Sequence, residues 1–480
     1  MKGLKVERID PYRLMIPRQA CMRTHGMVYA NATIEKWLYT DEALSQVVNV
    51  ACLPGILGPS IAMPDIHMGY GFPIGGVAAF SKKDGVVSPG GVGYDINCGI
   101  RCVLTNMHLD DIVPLKEQIL QRIFTKVPSG VGSKHKVLKC TDKEFKDIIT
   151  QGARWLVKKG LCPDVDLECH EDFGVLPGAD PSNISERAKL RGLPELGTLG
   201  SGNHFIEMDV VDSIVDKDVA KAFSLFENQV LILIHTGSRG LGHQVCDDYI
   251  HAMLRTLPAY GIDLPDRQLA CAPLAYDDAH TYLSAMAGAA NFAFVNRGMV
   301  THLVRSAFEE VFGRSWESMG MYLLYDCCHN IAKIEEILIH GKHVEACIHR
   351  KGATRALPPG DNRLPPRFRH TGQPVIVPGD MGRSSYILAG EEGSHETFFS
   401  ACHGAGRLMS RHKARKQAKG RSISDELHRK GIYAVAARDS TLAEEMPDAY
   451  KDISDVVNTI SGAGIARVVA RMRPLGMIKG

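Results

Sequence analysis

The sequence predicts an α+β fold, a single large domain of mixed β-sheets with surrounding helices. Apolar runs of strand length, such as VLILIH (230–235) and MYLLYDCCH (321–329), each end on a histidine. Helical patterns lie between such runs at 280–312 and 407–419, and a further helix is predicted over 454–472. Strands and helices do not follow one another in a regular βαβ order, which argues against a doubly wound parallel sheet.

Composition and charge place the chain among ordinary globular proteins. Of its 480 residues, 45% are hydrophobic and 23% are charged, and the formal net charge is +2, so any basic surface must be local. The informative glycine-rich patches extend over residues 65–403, which indicates that residues 1–480 form one domain. The N-terminus has no apolar signal-peptide core, and no apolar run approaches the ~18 residues of a membrane span. Thirteen cysteines without a disulfide framework predict reduced thiols and a cytoplasmic protein.

The first motif along the chain is KKDG at 82–85, which fits the KxDG pattern of lysine nucleotidyltransferase ligases. It lies between VAAFS and VVS, where Asp-Gly is a signal for a hairpin turn. We therefore interpret it as a turn, and Lys82 is not our candidate nucleophile.

The glycine-dense segment GGVGYDINCGIRC (90–102) contains Asp95 and Cys98, three residues apart. One turn of backbone can direct both side chains to one point, and a thiolate can bridge two cations. Taken alone, the pair is more typical of a turn aspartate and a buried cysteine.

Three histidines favour a metal site. His204, His235 and His329 each adjoin apolar sequence and meet a turn that contains Gly or Asn. Strand ends hold side chains rigidly, which suits metal ligation. The spacing matches no zinc finger, and mixed S, N and O ligands favour zinc over manganese by affinity. The residues alone therefore predict a metal site and leave the metal open.

The segment HGAGR (403–407) is a candidate phosphate site, although the chain has no Walker A motif. We expect its glycines to leave backbone N–H groups open to a phosphate at a helix start, with Arg407 adding charge-assisted bonds. His403, largely neutral at pH 7, would then be a nucleophile toward phosphorus. A helix-capping histidine is the alternative.

Two basic segments suggest an RNA or nucleotide groove. Residues 407–430 hold nine Lys/Arg against Asp425 and Glu426, and prolines are expected to keep the basic stretch 349–370 extended. Solvated charged faces are the alternative explanation.

The chain resembles the RtcB family of GTP-dependent RNA-splicing ligases in seven motifs that occur in order: MPDIHMGYGFPIGG (63–76), GGVGYDINCGIR (90–101), LGTLGSGNHF (196–205), HTGSRGLG (235–242), HNIAK (329–333), HRKGATRALPPG (349–360) and CHGAGR (402–407). The resemblance implies an enzyme that uses GTP and two Mn²⁺ ions. Such an enzyme joins an RNA 2′,3′-cyclic phosphate or 3′-phosphate end to a 5′-hydroxyl end, in tRNA splicing or RNA repair.

The resemblance also implies roles for individual residues. Cys98 would bridge the two metals, with His204 and His235 completing one site and Asp95 and His329 the other. His403 would carry GMP as a phosphoramidate and pass it to the RNA 3′-phosphate. The implied nucleotide contacts are Asn203, His204, Phe205, Ile206, Glu207, His329, Asn330, Pro378, Gly379, Asp380, Met381, Ser385, His403, Gly404, Ala405, Gly406, Tyr450 and Lys479.

Further expectations concern RNA, guanine and partners. Arg407 and Arg411 are expected to contact RNA. Tyr450 and Lys479 match guanine-recognising positions, and the penultimate place of Lys479 implies an ordered C-terminal tail. Asp380 and Arg383 lie where small hydroxyl residues are expected in many relatives. Archease is an expected activating partner. A metal-dependent RNA end-processing phosphodiesterase or phosphatase, or a non-catalytic RNA-binding factor, remains as a rival, although neither explains the histidine within HGAGR.

Overall fold

The structure is a computed structural model that describes residues 4–135, 140–339 and 341–480. Its strands are β1 Glu7–Arg8, β2 Arg13–Ile16, β3 Gly26–Tyr29, β4 Ile56–His67, β5 Ile74–Ser81, β6 Val86–Val87, β7 Gly99–Val103, β8 Phe205–Ile214, β9 Val230–Thr236, β10 Ala272–Pro273, β11 Leu323–Cys328, β12 Asn330–Ile339, β13 Lys342–Lys351, β14 Ala353–Arg355, β15 Pro374–Val377, β16 Ser385–Gly390, β17 Ser400–Cys402, β18 Tyr433–Ala436 and β19 Ala466–Lys479.

The helices lie around and between these strands. They are α1 Ala32–Glu35, α2 Ala43–Val50, α3 Leu109–Ile112, α4 Lys116–Lys126, α5 Asp142–Gln151, α6 Ala153–Lys158, α7 Glu186–Gly192, α8 Lys217–Ala222, α9 Arg239–Thr256, α10 Asp277–Phe312, α11 Arg411–Gln417, α12 Ile423–Arg429, α13 Asp439–Glu444 and α14 Ile453–Gly462. The mixture of sheets and helices confirms the predicted α+β class.

Two large sheets organise the chain. One has the strand order β1-β2-β3-β4-β5-β13-β12. The other has the order β11-β7-β9-β8-β19-β16-β15, with β18 paired to β19. The small ladders β6–β10 and β14–β17 complete the pairing that the described residues show. The long helix α10 packs its Ala- and Gly-rich middle, buried over Ala285–Val300, against the second sheet and neighbouring helices.

The second sheet brings the predicted ligands to one edge. Strand β7 starts directly after Cys98 and β8 directly after His204, whereas β9 ends with His235–Thr236 and β11 ends just before His329. Because neighbours here are antiparallel, the starts of β7 and β8 lie beside the ends of β9 and β11. His235 pairs with both Ile100 and Phe205.

Two helix predictions need correction. The helix predicted over 454–472 ends at Gly462, and Ala466–Lys479 is a strand between β8 and β16. Gly464, with φ +73°, ends the helix, and pairing on both sides overrides local helix preference. The helix predicted over 407–419 covers only Arg411–Gln417, whereas the one over 280–312 is confirmed within α10.

The KKDG motif is a turn, as predicted, since Gly85 N–H donates to the carbonyl oxygen of Ser81 at 2.8 Å. It is not a hairpin, because β6 pairs with β10 rather than with β5. The ammonium of Lys82 forms an exposed ion pair with Glu345 at 2.9 Å.

A disulfide joins Cys21 to Cys52, so the expectation of reduced thiols is wrong for this pair. The other eleven cysteines are free. No helix among the described residues is long and apolar enough to cross a membrane.

Candidate metal centre and phosphate pocket

The five predicted metal ligands meet at the edge of the second sheet. Their ligand atoms form two groups, Cys98 with His235 and His329, and Asp95 with Cys98 and His204, each within 4.8 Å. The Cys98 Sγ atom lies 3.4 Å from Nε2 of His204 and 3.3 Å from Nε2 of His235. The grouping differs from the expected one, because His204 lies with Asp95 at 2.8 Å and His235 lies with His329 at 3.2 Å.

The protonation pattern of the cluster suits a cation. Nδ1 of His235 lies 3.1 Å from the carbonyl oxygen of Asn203, which can only accept, so this nitrogen carries the proton. Nδ1 of His204 lies 3.0 Å from the carbonyl oxygen of Leu199, nearer than the Arg239 guanidinium at 3.3 Å. Both Nε2 lone pairs therefore point toward the thiol and carboxylate of the cluster. Such a convergence of acceptors fits metal ions held by S, N and O ligands.

Burial keeps the imidazoles of His235 and His329 neutral. It lowers the pKa of His235 and of His329 well below the usual range of histidine. Nδ1 of His329 is buried and has no hydrogen-bond partner among the described residues. Neutral imidazole is the form that binds metal.

A buried arginine fixes the backbone that carries two of the ligands. Nη1 of Arg297 donates to the carbonyl oxygens of Asn97 at 2.7 Å and Thr236 at 3.1 Å. These residues adjoin Cys98 and His235. Arg297 also forms a 2.8 Å ion pair with Asp326, and both side chains are fully buried.

His403 lies beside the cluster, with its ring centroid 4.7 Å from that of His329. Its Nδ1 lies 2.6 Å from Oδ2 of Asp65, and its backbone N–H donates to the same oxygen at 3.1 Å. A carboxylate accepts, so Nδ1 carries the proton and Nε2 is the free nucleophilic atom. Sequence reasoning missed Asp65, although it lies in the MPDIHMGYGFPIGG motif.

The HGAGR loop differs from its expected form. Residues 403–410 do not begin a helix, because α11 starts at Arg411 with Ser410 as its N-cap. The second glycine of the loop, Gly406, is required by close packing. Its φ is +72°, and a Cβ there would lie 2.2 Å from the carbonyl oxygen of Asp65.

Most of the predicted site residues line a cavity of about 460 Å³, a size typical of small-ligand sites. Eighteen of the predicted site residues form its wall: Asp95, Cys98, Asn203, Phe205, His235, His329, Asn330, Pro378, Gly379, Asp380, His403, Gly404, Ala405, Gly406, Arg407, Arg411, Tyr450 and Lys479. The remaining five are buried and do not line it: His204, Ile206, Glu207, Met381 and Ser385. A larger open groove of about 1010 Å³ lies at the opposite ends of β7, β8 and β9 and contains no predicted site residue.

Lys479 and Asp380 place opposite charges on this wall. Lys479 ends β19 opposite Phe205, which agrees with an ordered C-terminal tail. Burial raises the pKa of Asp380 to about 6. Asp380 is a residue that departs from the family pattern, and a 3.2 Å ion pair with Arg383 offsets its negative charge.

The two arginines predicted to contact RNA share one internal partner. Arg407 donates to the buried carboxylate of Glu445 and to the hydroxyl of Tyr450, both at 3.0 Å. Arg411 lies 3.3 Å from Glu445, and half of its side chain is exposed. Arg407 is thus held internally, whereas Arg411 also faces solvent.

The basic stretch 349–370 is not extended throughout, because Pro366–Phe368 forms a short 3₁₀ helix, and it is only partly exposed, with Arg367 and Arg369 facing solvent. Arg350 and Arg355 are buried in ion pairs with Glu335 at 2.6 Å and Asp172 at 2.8 Å. Lys351 and Gly352 are the residues of this stretch that line the cavity, and burial lowers the pKa of the lysine to about 7. Its ammonium donates to the carbonyl oxygen of Gly90 at 3.0 Å.

The fold and the site define an α+β protein with a candidate metal centre beside a histidine that is hydrogen-bonded to a buried aspartate. The chain belongs to the RtcB family, since the family model for tRNA-splicing ligase RtcB matches residues 46–480. The tRNA-splicing ligase RtcB of Thermococcus kodakarensis is 50% identical over 477 residues, 99% of each chain. That of Archaeoglobus fulgidus is 48% identical over the whole of both chains. That of Aeropyrum pernix is 48% identical over 99% of this chain and 100% of its own.

Proposed function

We propose that this protein is a GTP-dependent RNA ligase that joins 2′,3′-cyclic phosphate or 3′-phosphate ends to 5′-hydroxyl ends. The observation that carries the proposal is His403, whose Nε2 is left free by the Asp65 bond in a cavity lined by the metal-ligand cluster. The names of the relatives, tRNA-splicing ligases, support RNA as the substrate.

The first step is nucleotidyl transfer to His403. Nε2 attacks the α-phosphorus of GTP, an N–P bond forms, and the bond to pyrophosphate breaks. The imidazole gains positive charge as the bond forms, and the Asp65 carboxylate at Nδ1 stabilises it. The product is a His403–GMP phosphoramidate.

The next two steps transfer GMP and close the RNA. An oxygen of the RNA 3′-phosphate attacks the GMP phosphorus, His403 leaves, and an RNA-3′-pp-5′-G end forms. The 5′-hydroxyl of the second RNA then attacks the 3′-phosphorus and GMP departs. A cyclic phosphate is first hydrolysed to the 3′-phosphate.

The cluster of Asp95, Cys98, His204, His235 and His329 would hold two Mn²⁺ ions, with Cys98 in both groups. The chemistry such ions supply is neutralisation of phosphate charge and alignment of attacking and leaving oxygens. The metal identity in this proposal comes from the family resemblance.

The remaining roles belong to the same proposal. The cavity wall binds GTP, Tyr450 and Lys479 recognise guanine, and Arg407 and Arg411 meet the RNA. The four buried residues Ile206, Glu207, Met381 and Ser385 are proposed nucleotide contacts, supported only by the family pattern. We include tRNA halves as substrates, archease as activator, and residues 1–480 as one catalytic unit. We also propose a cytoplasmic location, supported by the RNA substrate; the disulfide weakens the argument from reduced thiols.

Transfer of label from GTP tests the proposal. The protein is incubated with α-labelled GTP and Mn²⁺ without RNA, beside His403→Ala and Lys82→Ala. We expect acid-labile, alkali-stable label on the wild type and on Lys82→Ala, and none on His403→Ala. Label lost only in Lys82→Ala would show that Lys82, and not His403, is the nucleophile. A wild type that takes no label, but opens cyclic phosphate ends, would favour the end-processing phosphodiesterase.

A further inference from the structure

Lys451 is a buried lysine whose ammonium contacts the segment that carries Asp65. Only 4% of the residue is exposed. Its Nζ donates to the carbonyl oxygen of Pro64 at 3.0 Å and to that of Ile66. These two carbonyls flank Asp65, the partner of His403. The lysine therefore holds the backbone on both sides of this carboxylate.

The carbonyls of Pro64 and Ile66 depend on this lysine because the strand is irregular there. The pairing of β4 with β5 shifts register between Ala62 and His67, so regular ladder hydrogen bonds are interrupted over this stretch. The carbonyl of Asp65 itself lies 2.9 Å from Nδ1 of His67. A buried carbonyl without a partner is costly, so the segment would move if the lysine donors were lost.

The backbone of Lys451 is anchored on two further sides. Its N–H donates to the carbonyl oxygen of Gly406 at 3.0 Å, within the HGAGR loop. Its own carbonyl accepts from Nη1 of Arg383 at 3.1 Å. The residue directly precedes Asp452, the N-cap of α14, and follows Tyr450 of the cavity wall. Lys451 thus links the helix α14, the nucleophile loop and the Asp65 segment.

We propose that Lys451 is a positioning residue for nucleotidyl transfer to His403, and that it acts by fixing Asp65 against Nδ1 of the histidine. The inference rests on the proposed function. Among the described residues, the ammonium donates to backbone oxygens on the Asp65 segment, and its charge also attracts the Asp65 carboxylate. Its effect on the reaction therefore passes through the Asp65–His403 pair. The steps that do not use His403 do not require this geometry.

The test compares two steps in the full-length protein. Lys451→Met keeps the aliphatic stem and removes the donors, and Lys342→Met is the matched control at an exposed lysine. The first assay is the initial rate of labelling by α-labelled GTP at saturating concentration. The second is joining of RNA that already carries a 3′-pp-5′-G end, which bypasses His403. Thermal unfolding of each variant is followed in parallel.

We expect Lys451→Met to label about 10- to 100-fold more slowly than wild type, the range typical of a displaced catalytic group, while joining of the activated RNA is unchanged. Equal loss in both assays, or no loss of labelling, would overturn the proposal. If Lys451→Met does not fold, Lys451→Leu, which also removes the donors, carries the same comparison. A wild type that takes no label even with archease present would overturn the proposed function and this inference together. This outcome is distinct from a defect confined to the variant.

Discussion

The Asp65 carboxylate is the group whose loss should most directly slow the reaction of His403. It is fully buried, and its Oδ2 accepts from both Nδ1 and the backbone nitrogen of the histidine. A charge-assisted hydrogen bond contributes about 1.5–3 kcal/mol, and a neutral one about 1 kcal/mol. Asp65→Asn keeps the neutral bond, so it removes about 0.5–2 kcal/mol of stabilisation as the imidazole becomes charged, which corresponds to about 2- to 30-fold in rate.

The assay for Asp65→Asn is the initial rate of His403 labelling by α-labelled GTP at saturating nucleotide, without RNA. Asp84→Asn, the same chemical change in the exposed KKDG turn, is the control and should label at the wild-type rate. A folded Asp65→Asn protein that labels as fast as wild type would refute the role assigned to the carboxylate.

Three other changes test the remaining features of the site and fold. Cys98→Ala should reduce the manganese that dialysed protein retains, measured by elemental mass spectrometry, because the thiol belongs to both ligand groups; full retention would contradict the shared ligand. Cys21→Ser should lower the free energy of unfolding in denaturant by about 3–4 kcal/mol, because the disulfide closes a loop of 31 residues, and should leave labelling unchanged; equal stability would argue against the disulfide. Gly406→Ala should abolish most labelling because its Cβ would meet the carbonyl of Asp65, whereas Gly420→Ala, also at positive φ but in open space, should not; equal effects would exclude the close contact as the cause.

The site was largely predictable from local motifs. Asp95, Cys98, the three histidines and HGAGR stand in short glycine- or asparagine-containing motifs, so each could be named from residues close in the chain. Their grouping was not predictable, because it depends on which strand ends lie side by side. The structure places His204 with Asp95, and His235 with His329. Asp65 was missed because it lies 338 residues from its partner histidine.

The fold shows the same division. The apolar run 230–235 and the pattern over 280–312 are long and regular, so their strand and helix were identified correctly. The stretch after Gly462 was misassigned as helix, because only its neighbours β8 and β16 make it a strand. Arg350 and Arg355 were expected to face solvent, but they are buried because their carboxylate partners, Glu335 and Asp172, lie outside the basic stretch.

The sequence by itself determined the chemistry present: a thiol, a carboxylate and imidazoles at turn positions, and a histidine among glycines. Tertiary structure decided how that chemistry is arranged: the register of β7, β8, β9 and β11 gathers the ligands, and the irregular part of β4 brings Asp65 to His403. The physical reason is that residue type and local spacing fix what a side chain can do. Its partners depend on pairing between distant segments, which local pattern does not encode.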